Sequence, residues 1–244
     1  MNSKTAMIFA AGLGTRLRPL TLNKPKAMVE VNGIPLLERA ILKLKKDNFR
    51  RLIINIHHFG HQILDFLQEK NNFGIEIIIS DEREQILETG GGLLKAMPLL
   101  GDNPFLVYNV DIITNNNLEQ LYNFRLQTDG LATLAVRKRA TSRYLLFDEN
   151  NVLSGWKNIK TNKVIFLNDS NRLQQWAFSG IHVIDPKIFE YMPSDLSKFS
   201  IIDTYLTAGK NEKIIAFPHD EDYWWDVGKP EKLQEAAEFL TKKS

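Results

Sequence analysis

The sequence contains no cysteine, which excludes disulfides, thiolate metal sites and cysteine nucleophiles together. It also lacks any apolar run near the ~18 residues that a membrane-spanning helix requires, so a membrane role is not expected. Nor is there an excess of one charge, because 31 basic residues stand against 29 acidic ones for a formal net charge of +2. Any positive field must then be local, inside a cleft, and bulk nucleic-acid binding is not expected. No internal repeat, low-complexity tract or Pro/Ser linker divides the chain. Residues 1–5 lead straight into an apolar stretch too short and poorly flanked for a signal peptide, and the expected location is the cytoplasm.

What remains is globular: 244 residues, 43% hydrophobic and 25% charged, long enough to bury one continuous core. Strand-length apolar runs at 6–11, 51–56, 75–80 and 105–110 alternate with helix-length amphipathic stretches at 35–47, 60–70 and 91–99. That βαβ rhythm predicts an α/β fold, with a mostly parallel twisted sheet, helices on both faces and ligands at the carboxyl ends of the strands. Beyond residue 130, runs at 131–137, 144–147 and 152–154 follow one another across short turns, which predicts a small antiparallel addition. Strands at 176–184, 214–217 and 223–226 and a helix over 230–241 complete a single domain, 1–244, with halves 1–130 and 131–244.

The first βα connection reads Ala10-Ala11-Gly12-Leu13-Gly14-Thr15-Arg16-Leu17-Arg18-Pro19-Leu20-Thr21, followed by Lys24-Pro25-Lys26. Small residues after a buried strand let backbone N–H groups approach phosphate oxygens, and the cations supply countercharge. A tight turn explains the two glycines alone but not Arg16 and Lys26. The loop is not a Walker A motif, which ends in Gly-Lys-Ser/Thr. It is not the dinucleotide fingerprint either, whose third glycine position falls on Leu17. At the end of an apolar strand, Asn109-Val110-Asp111 presents a carboxylate, and Asp226 in Trp224-Trp225-Asp226-Val227-Gly228 presents another before a helix. Two such carboxylates suit a hard cation that offsets charge in phosphoryl or nucleotidyl transfer.

Gly12-x-Gly14-Thr15-Arg16-x-x-Pro19-x-Thr21 with Pro25-Lys26 closely resembles the signature of the sugar-1-phosphate nucleotidyltransferases. The resemblance implies a Rossmann-like fold of the nucleotide-diphospho-sugar transferase type, with a nucleotide-binding half at 1–130 and a sugar-binding half at 131–244. It implies that Ala10, Ala11, Gly12, Gly14 and Thr15 wrap a triphosphate, that Arg16 steadies the departing pyrophosphate, and that Lys26 holds phosphate charge at the reacting centre. Asp111 and Asp226 are implied to bind Mg2+, with Asn109 beside the nucleotide. Leu87-Glu88-Thr89-Gly90-Gly91-Gly92, expected as the lead-in to a helix with Thr89 as its cap, corresponds to the segment that reads the base, which implicates Glu88, Thr89 and Gly90. Lys157 in Gly155-Trp156-Lys157-Asn158 corresponds to the sugar-phosphate lysine of a Glu-Lys-Pro motif, although Trp156 and Asn158 depart from it. Ser179 and Gly180 in Phe178-Ser179-Gly180-Ile181-His182 correspond to a segment against the sugar ring. Val110 also departs from the usual Gly-Asp.

The implied partners are a nucleoside triphosphate and a sugar 1-phosphate, and the chain is expected as a monomer or weak dimer. Its length and Leu-Glu-Thr-Gly-Gly-Gly segment look most like the uridylyltransferases acting on N-acetylmuramate 1-phosphate. GTP with mannose or heptose 1-phosphate, and CTP with phosphocholine, are the alternatives. From other classes come a catalytically silent nucleotide-sugar sensor and an NAD-binding dehydrogenase. His57, His58 and His61 are expected to be solvated rather than zinc ligands, lacking a His-Glu-x-x-His pattern. Arg137-Lys138-Arg139 with Arg143 could contact acidic ligands but reads as a wet face, and Trp224 and Trp225, which could stack on a sugar or fill core, should point to opposite faces of a strand.

Overall fold

The computed structural model describes residues 4–169, 172–195 and 197–243; residues 1–3, part of the stretch weighed as a targeting segment, lie outside them. In chain order the first elements are β1 (Lys4–Phe9), β2 (Glu30–Val31), β3 (Ile34–Pro35), α1 (Leu36–Lys46), β4 (Phe49–Ile56), α2 (Gly60–Glu69) and β5 (Glu76–Asp81). Next come α3 (Glu88–Leu100), β6 (Phe105–Asn109), β7 (Ile112–Thr114), α4 (Leu118–Gln127), β8 (Ala132–Arg137), β9 (Arg143–Phe147) and β10 (Leu153–Asn158). The chain continues through β11 (Lys163–Phe166), β12 (Gln174–Ile184), α5 (Ile201–Ala208), β13 (Ile214–Pro218), β14 (Trp224–Asp226) and α6 (Pro230–Thr241).

Among the described residues, ten strands form one sheet ordered β11-β10-β9-β12-β6-β1-β4-β5, with β8 on β12 and β13 on β8. Strands β6, β1, β4 and β5 run parallel, as the βαβ rhythm predicts. From β12 outward the main ladder is antiparallel, and β13 lies parallel to β8. The chain runs outward from β1 through β4 to β5 and then returns to the other side of β1 as β6. Strand order therefore reverses between β1 and β6, where open α/β sheets leave a crevice for ligands.

The buried strands feed two apolar layers by simple alternation. Ala6 and Ile8 of β1 pack with Leu37, Ile41 and Leu44 of α1, whereas Met7 faces Leu93 and Ala96 of α3 and Tyr205 of α5. Helices thus cover both faces, and no helix among the described residues is long and apolar enough to cross a membrane.

Several elements depart from the sequence-based expectation. Helix α3 begins at Glu88, so Gly90, Gly91 and Gly92 are buried helical residues rather than a flexible lead-in. Tight packing accounts for them, because a Cβ on Gly91 would lie 2.3 Å from the Ser197 carbonyl oxygen and one on Gly90 2.3 Å from the Phe199 ring. Gly91→Ala is therefore expected to destabilise the fold by about 1–3 kcal/mol, the usual cost of overpacking, read as a lower urea midpoint. Strand β10 runs to Asn158, well past the apolar run, while β7, β11, α4 and α5 carry no strong periodicity of their own.

Two histidines are buried uncharged. Burial lowers the His182 pKa to about 3, with Tyr205 Oη 2.5 Å from its Nδ1, and burial lowers that of His219 to about 4. Below pH 6.5 the unfolded chain protonates both rings while the folded protein protonates neither until His219 titrates near 4. Stability should then fall as the pH drops through that window, by up to ~1.4 kcal/mol per pH unit for each ring. Thermal unfolding at pH 5.5 should show proton uptake; none would contradict the assignment.

Candidate active site

A cavity of about 440 Å³ opens at the switch point between β1 and β6, where Phe9 pairs with Asn109 and both line the wall. Following the sheet order, Asn55 and Glu82 approach from the ends of β4 and β5, with Glu88 and Thr89 from α3. Phe178, Ser179 and Gly180 approach from β12 on the far side. Between these two walls stand Arg16, Lys26, Asp111 and Asp226.

The loop after β1 is held from beneath. Asn55 Oδ1 accepts from the backbone N–H of Ala10 at 2.7 Å and of Ala11 at 3.3 Å, and its Nδ2 donates to Glu82 Oε1 at 2.7 Å. The amides of Ala10 and Ala11 are consequently occupied within the protein instead of free to cradle a phosphate. Burial raises the Glu82 pKa, opposed by its hydrogen bonds from Asn55 and from the Leu87 backbone. Gly14 adopts the left-handed region (φ 64°), which only glycine enters at little cost, and its carbonyl accepts from Leu17 N–H and Thr21 Oγ1. That turn throws Arg16 toward the cavity. Gly12 and Ala11 reach the wall, while Ala10, Gly14 and Thr15 lie behind it.

Asp111 and Asp226 meet through a two-stranded ladder in which β14 pairs antiparallel with β7, setting Asp226 opposite Ile112. Val227 N–H donates to the Asp111 carbonyl at 2.9 Å, and Gly228 N–H donates to Asp226 Oδ1 at 3.0 Å. A Cβ on Gly228 would lie 2.8 Å from Arg16 Nη2, 2.9 Å from Asp226 Oδ1 and 3.1 Å from Asp111 Oδ2. Both carboxylates and the guanidinium therefore surround one point. Lys26 Nζ pairs with Asp111 Oδ2. Burial, and then the charge of Asp111, raises the Asp226 pKa. A cation between the two would relieve that repulsion, and two carboxylates are a sufficient protein share for an ion whose other ligands are phosphates and water.

The remaining candidates divide. Glu88, Thr89, Asn109, Ser179 and Gly180 line the cavity. Gly90 does not, since its N–H donates to Phe199 O at 2.9 Å; Thr89 Oγ1 accepts from Ile201 N–H at 3.0 Å, so it serves the first turn of α5, whose N-cap is Ser200, rather than capping α3. Lys157 is not among the wall residues; its strand neighbour Trp156 lines a cleft with Lys163, and Asn158 and Arg143 line both that cleft and the groove beside the cavity. Asn55, Glu82 and Arg139 are wall residues that the sequence-based candidates omit. A polar residue near the carboxyl end of a buried strand was the available signal for the first, and a carboxylate just past one for the second. Arg139 corrects the wet-face reading of 137–139: its Nη2 donates to Phe178 O at 3.0 Å and its guanidinium sits 4.6 Å from the Trp224 ring centroid. Trp224 faces the cavity and donates from Nε1 to Ser179 O, whereas Trp225 packs on Phe239 of α6. His57 Nδ1 lies 2.7 Å from Glu82 O, and His58 rests on Phe59.

The family profile described as nucleotidyl transferase matches residues 5–243. The chain belongs to that family. Among relatives of this nucleotidyl transferase are the N-acetylmuramate alpha-1-phosphate uridylyltransferases of Neisseria meningitidis, 31% identical over 95% of this chain and 96% of the relative, and of Caulobacter vibrioides, 30% identical over 93% of each. The crystal structure of HddC from Yersinia pseudotuberculosis complexed with GMP-PN shares the fold at a TM-score of 0.76 and 24% identity, covering 97% of this chain and 99% of that one. A nucleotidyl transferase needs no dinucleotide fingerprint, in keeping with Leu17 at the third glycine position, and the dehydrogenase alternative falls.

Proposed function

We propose that this nucleotidyl transferase moves UMP from UTP to N-acetylmuramate 1-phosphate with Mg2+, releasing pyrophosphate. The convergence of Arg16, Asp111 and Asp226 around Gly228 is the observation that carries the reaction class; the names of the two uridylyltransferase relatives support the substrates. Asp111 and Asp226 would hold the ion, which when bound offsets charge on the phosphate oxygens and aligns them. Arg16, on the loop held by Asn55, binds the departing pyrophosphate. Lys26 exchanges its bond to Asp111 for the α-phosphate as the acceptor oxygen attacks the α-phosphorus. That nucleophile is already an anion, so no side chain needs to act as general base. Glu82, anchored by Asn55 at one oxygen, leaves capacity to accept from a base N–H on the β5 side of the cavity.

Pyrophosphate release, measured with Mg2+ and each common nucleoside triphosphate against a panel of phosphorylated acceptors, tests this reading. A strong rate confined to UTP with N-acetylmuramate 1-phosphate is expected. Preference for GTP with mannose or heptose 1-phosphate, or for CTP with phosphocholine, would replace the substrates and keep the chemistry. Silence across the panel with triphosphate binding intact would favour the sensor.

A further inference from the structure

A groove of about 1110 Å³ opens off the cavity and shares Arg16, Arg139, Trp224 and Asp226 with it. Its farther walls are cationic, carrying Arg137, Arg143, Lys160 and Lys229, and Asp226 is the only carboxylate among its lining residues. The chain as a whole is close to neutral at +2, so this concentration of one sign is a local construction. Among the described residues, none of Arg16, Arg137, Arg139, Arg143, Lys160 and Lys229 forms a direct ion pair, and the charge of Asp226 is the one that Arg16 and Arg139 share. Arg139 is the sharpest case: half-buried, its pKa lowered by burial, its Nε has no hydrogen-bond partner. Arg137 and Arg139 are the partly buried members, and holding them there beside other cations without an ion pair costs stability that an anion would return.

The position of the groove says which reactant brings that anion. Apart from Arg16, its cations come from the end of β8, the turn into β9, the residues after β10 and the start of α6, where Lys232 is paired with Glu235, all in the half that carries Phe178, Ser179 and Gly180. The triphosphate loop contributes only Arg16. We propose that the groove is an anion subsite for the acceptor, holding a second anionic group that the sugar carries apart from its anomeric phosphate. That group is a carboxylate or a second phosphate, and Thr141 and Ser142 at the same wall add hydroxyl donors. The proposal rests on the transferase reading and adds to it the class of acceptor that the enzyme selects.

Binding to the full chain with Mg2+, followed by calorimetry, tests the subsite independently of turnover. Two matched pairs serve: N-acetylmuramate 1-phosphate against N-acetylglucosamine 1-phosphate, which lacks the carboxylate, and glucose 1,6-bisphosphate against glucose 1-phosphate. The doubly anionic member of at least one pair should bind about tenfold tighter, the worth of a charge-assisted hydrogen bond. Which pair shows it separates carboxylate from phosphate. In the Arg143→Gln/Lys160→Gln protein, both positions being exposed, that preference should shrink to about twofold or less while the KM for UTP stays put, because the lost contact is to the acceptor alone. Equal binding within both pairs in the wild type would overturn the proposal. So would a variant whose defect lies in UTP or pyrophosphate, since the groove would then serve the triphosphate tail. A preference without any turnover would sink the transferase reading and leave the subsite standing; turnover without a preference would do the reverse.

Discussion

Asp111→Asn lowers turnover by about 10³-fold or more while the protein remains folded, if the carboxylate pair is the charge-neutralising centre. The substitution keeps side-chain volume, and the backbone carbonyl that accepts from Val227 N–H is untouched. What changes is charge. Lys26 loses its ion-pair partner, and Asp226 loses the neighbouring charge that helps to raise its pKa, so that it moves back toward the ordinary carboxylate range. Lys26 keeps access to the cavity, and the stability loss should therefore stay well short of unfolding. Pyrophosphate release, compared with the melting temperature of the same preparation, checks both halves. An Asp111→Asn protein that turns over normally with Mg2+ would remove Asp111 from the centre.

Gly228→Val should cost about 10²-fold in kcat, because a misplacement of roughly 1 Å at the reacting groups has that effect. Its Cβ would intrude to 2.8 Å from Arg16 Nη2 and 2.9 Å from Asp226 Oδ1, tighter than any ordinary contact. Arg16 is a flexible end and can swing away, so folding should survive. On the proposed mechanism, the swing would remove the guanidinium from the departing pyrophosphate. If the rest of the cavity holds the triphosphate as proposed, affinity for it should change far less than kcat. Equal losses in the two would mean that Gly228 matters for binding rather than for geometry at the centre.

The parts of the site that were legible in the sequence are those where a local rule leaves a local mark. Gly14 needs positive φ, Arg16 follows it on the same turn, and Asp111 comes just past a buried parallel strand. The illegible parts depend on neighbours far along the chain. Thr89 looks like the cap of its own helix, yet the capping distance is met by Ile201 N–H, 112 residues away. Asn55 has no motif, and its role appears only when β4 lies beside β1. Arg139 sits in a basic run that composition assigns to solvent, and the ring of Trp224 shows otherwise. Lys157 matched a motif whose flanking residues were absent, and β10 continues through it as an ordinary strand. In the fold, the parallel half followed from hydrophobic spacing, whereas α5, Ile-Ile-Asp-Thr-Tyr-Leu-Thr-Ala, is too short and apolar to show a helical stripe.

The small ladder between β7 and β14 ties the order of folding to the onset of activity. It closes a long loop, Thr114 donating to Tyr223 O across 109 residues, and only when it forms do the two carboxylates become neighbours. Pairings of such separation are slow to gain because chain entropy must be lost before the contact repays it. If that pair is the active centre, turnover should lag behind helical circular dichroism during refolding, and a ribosome-bound chain whose residues past 220 are still in the exit tunnel would have the loop after β1 but not the paired carboxylates.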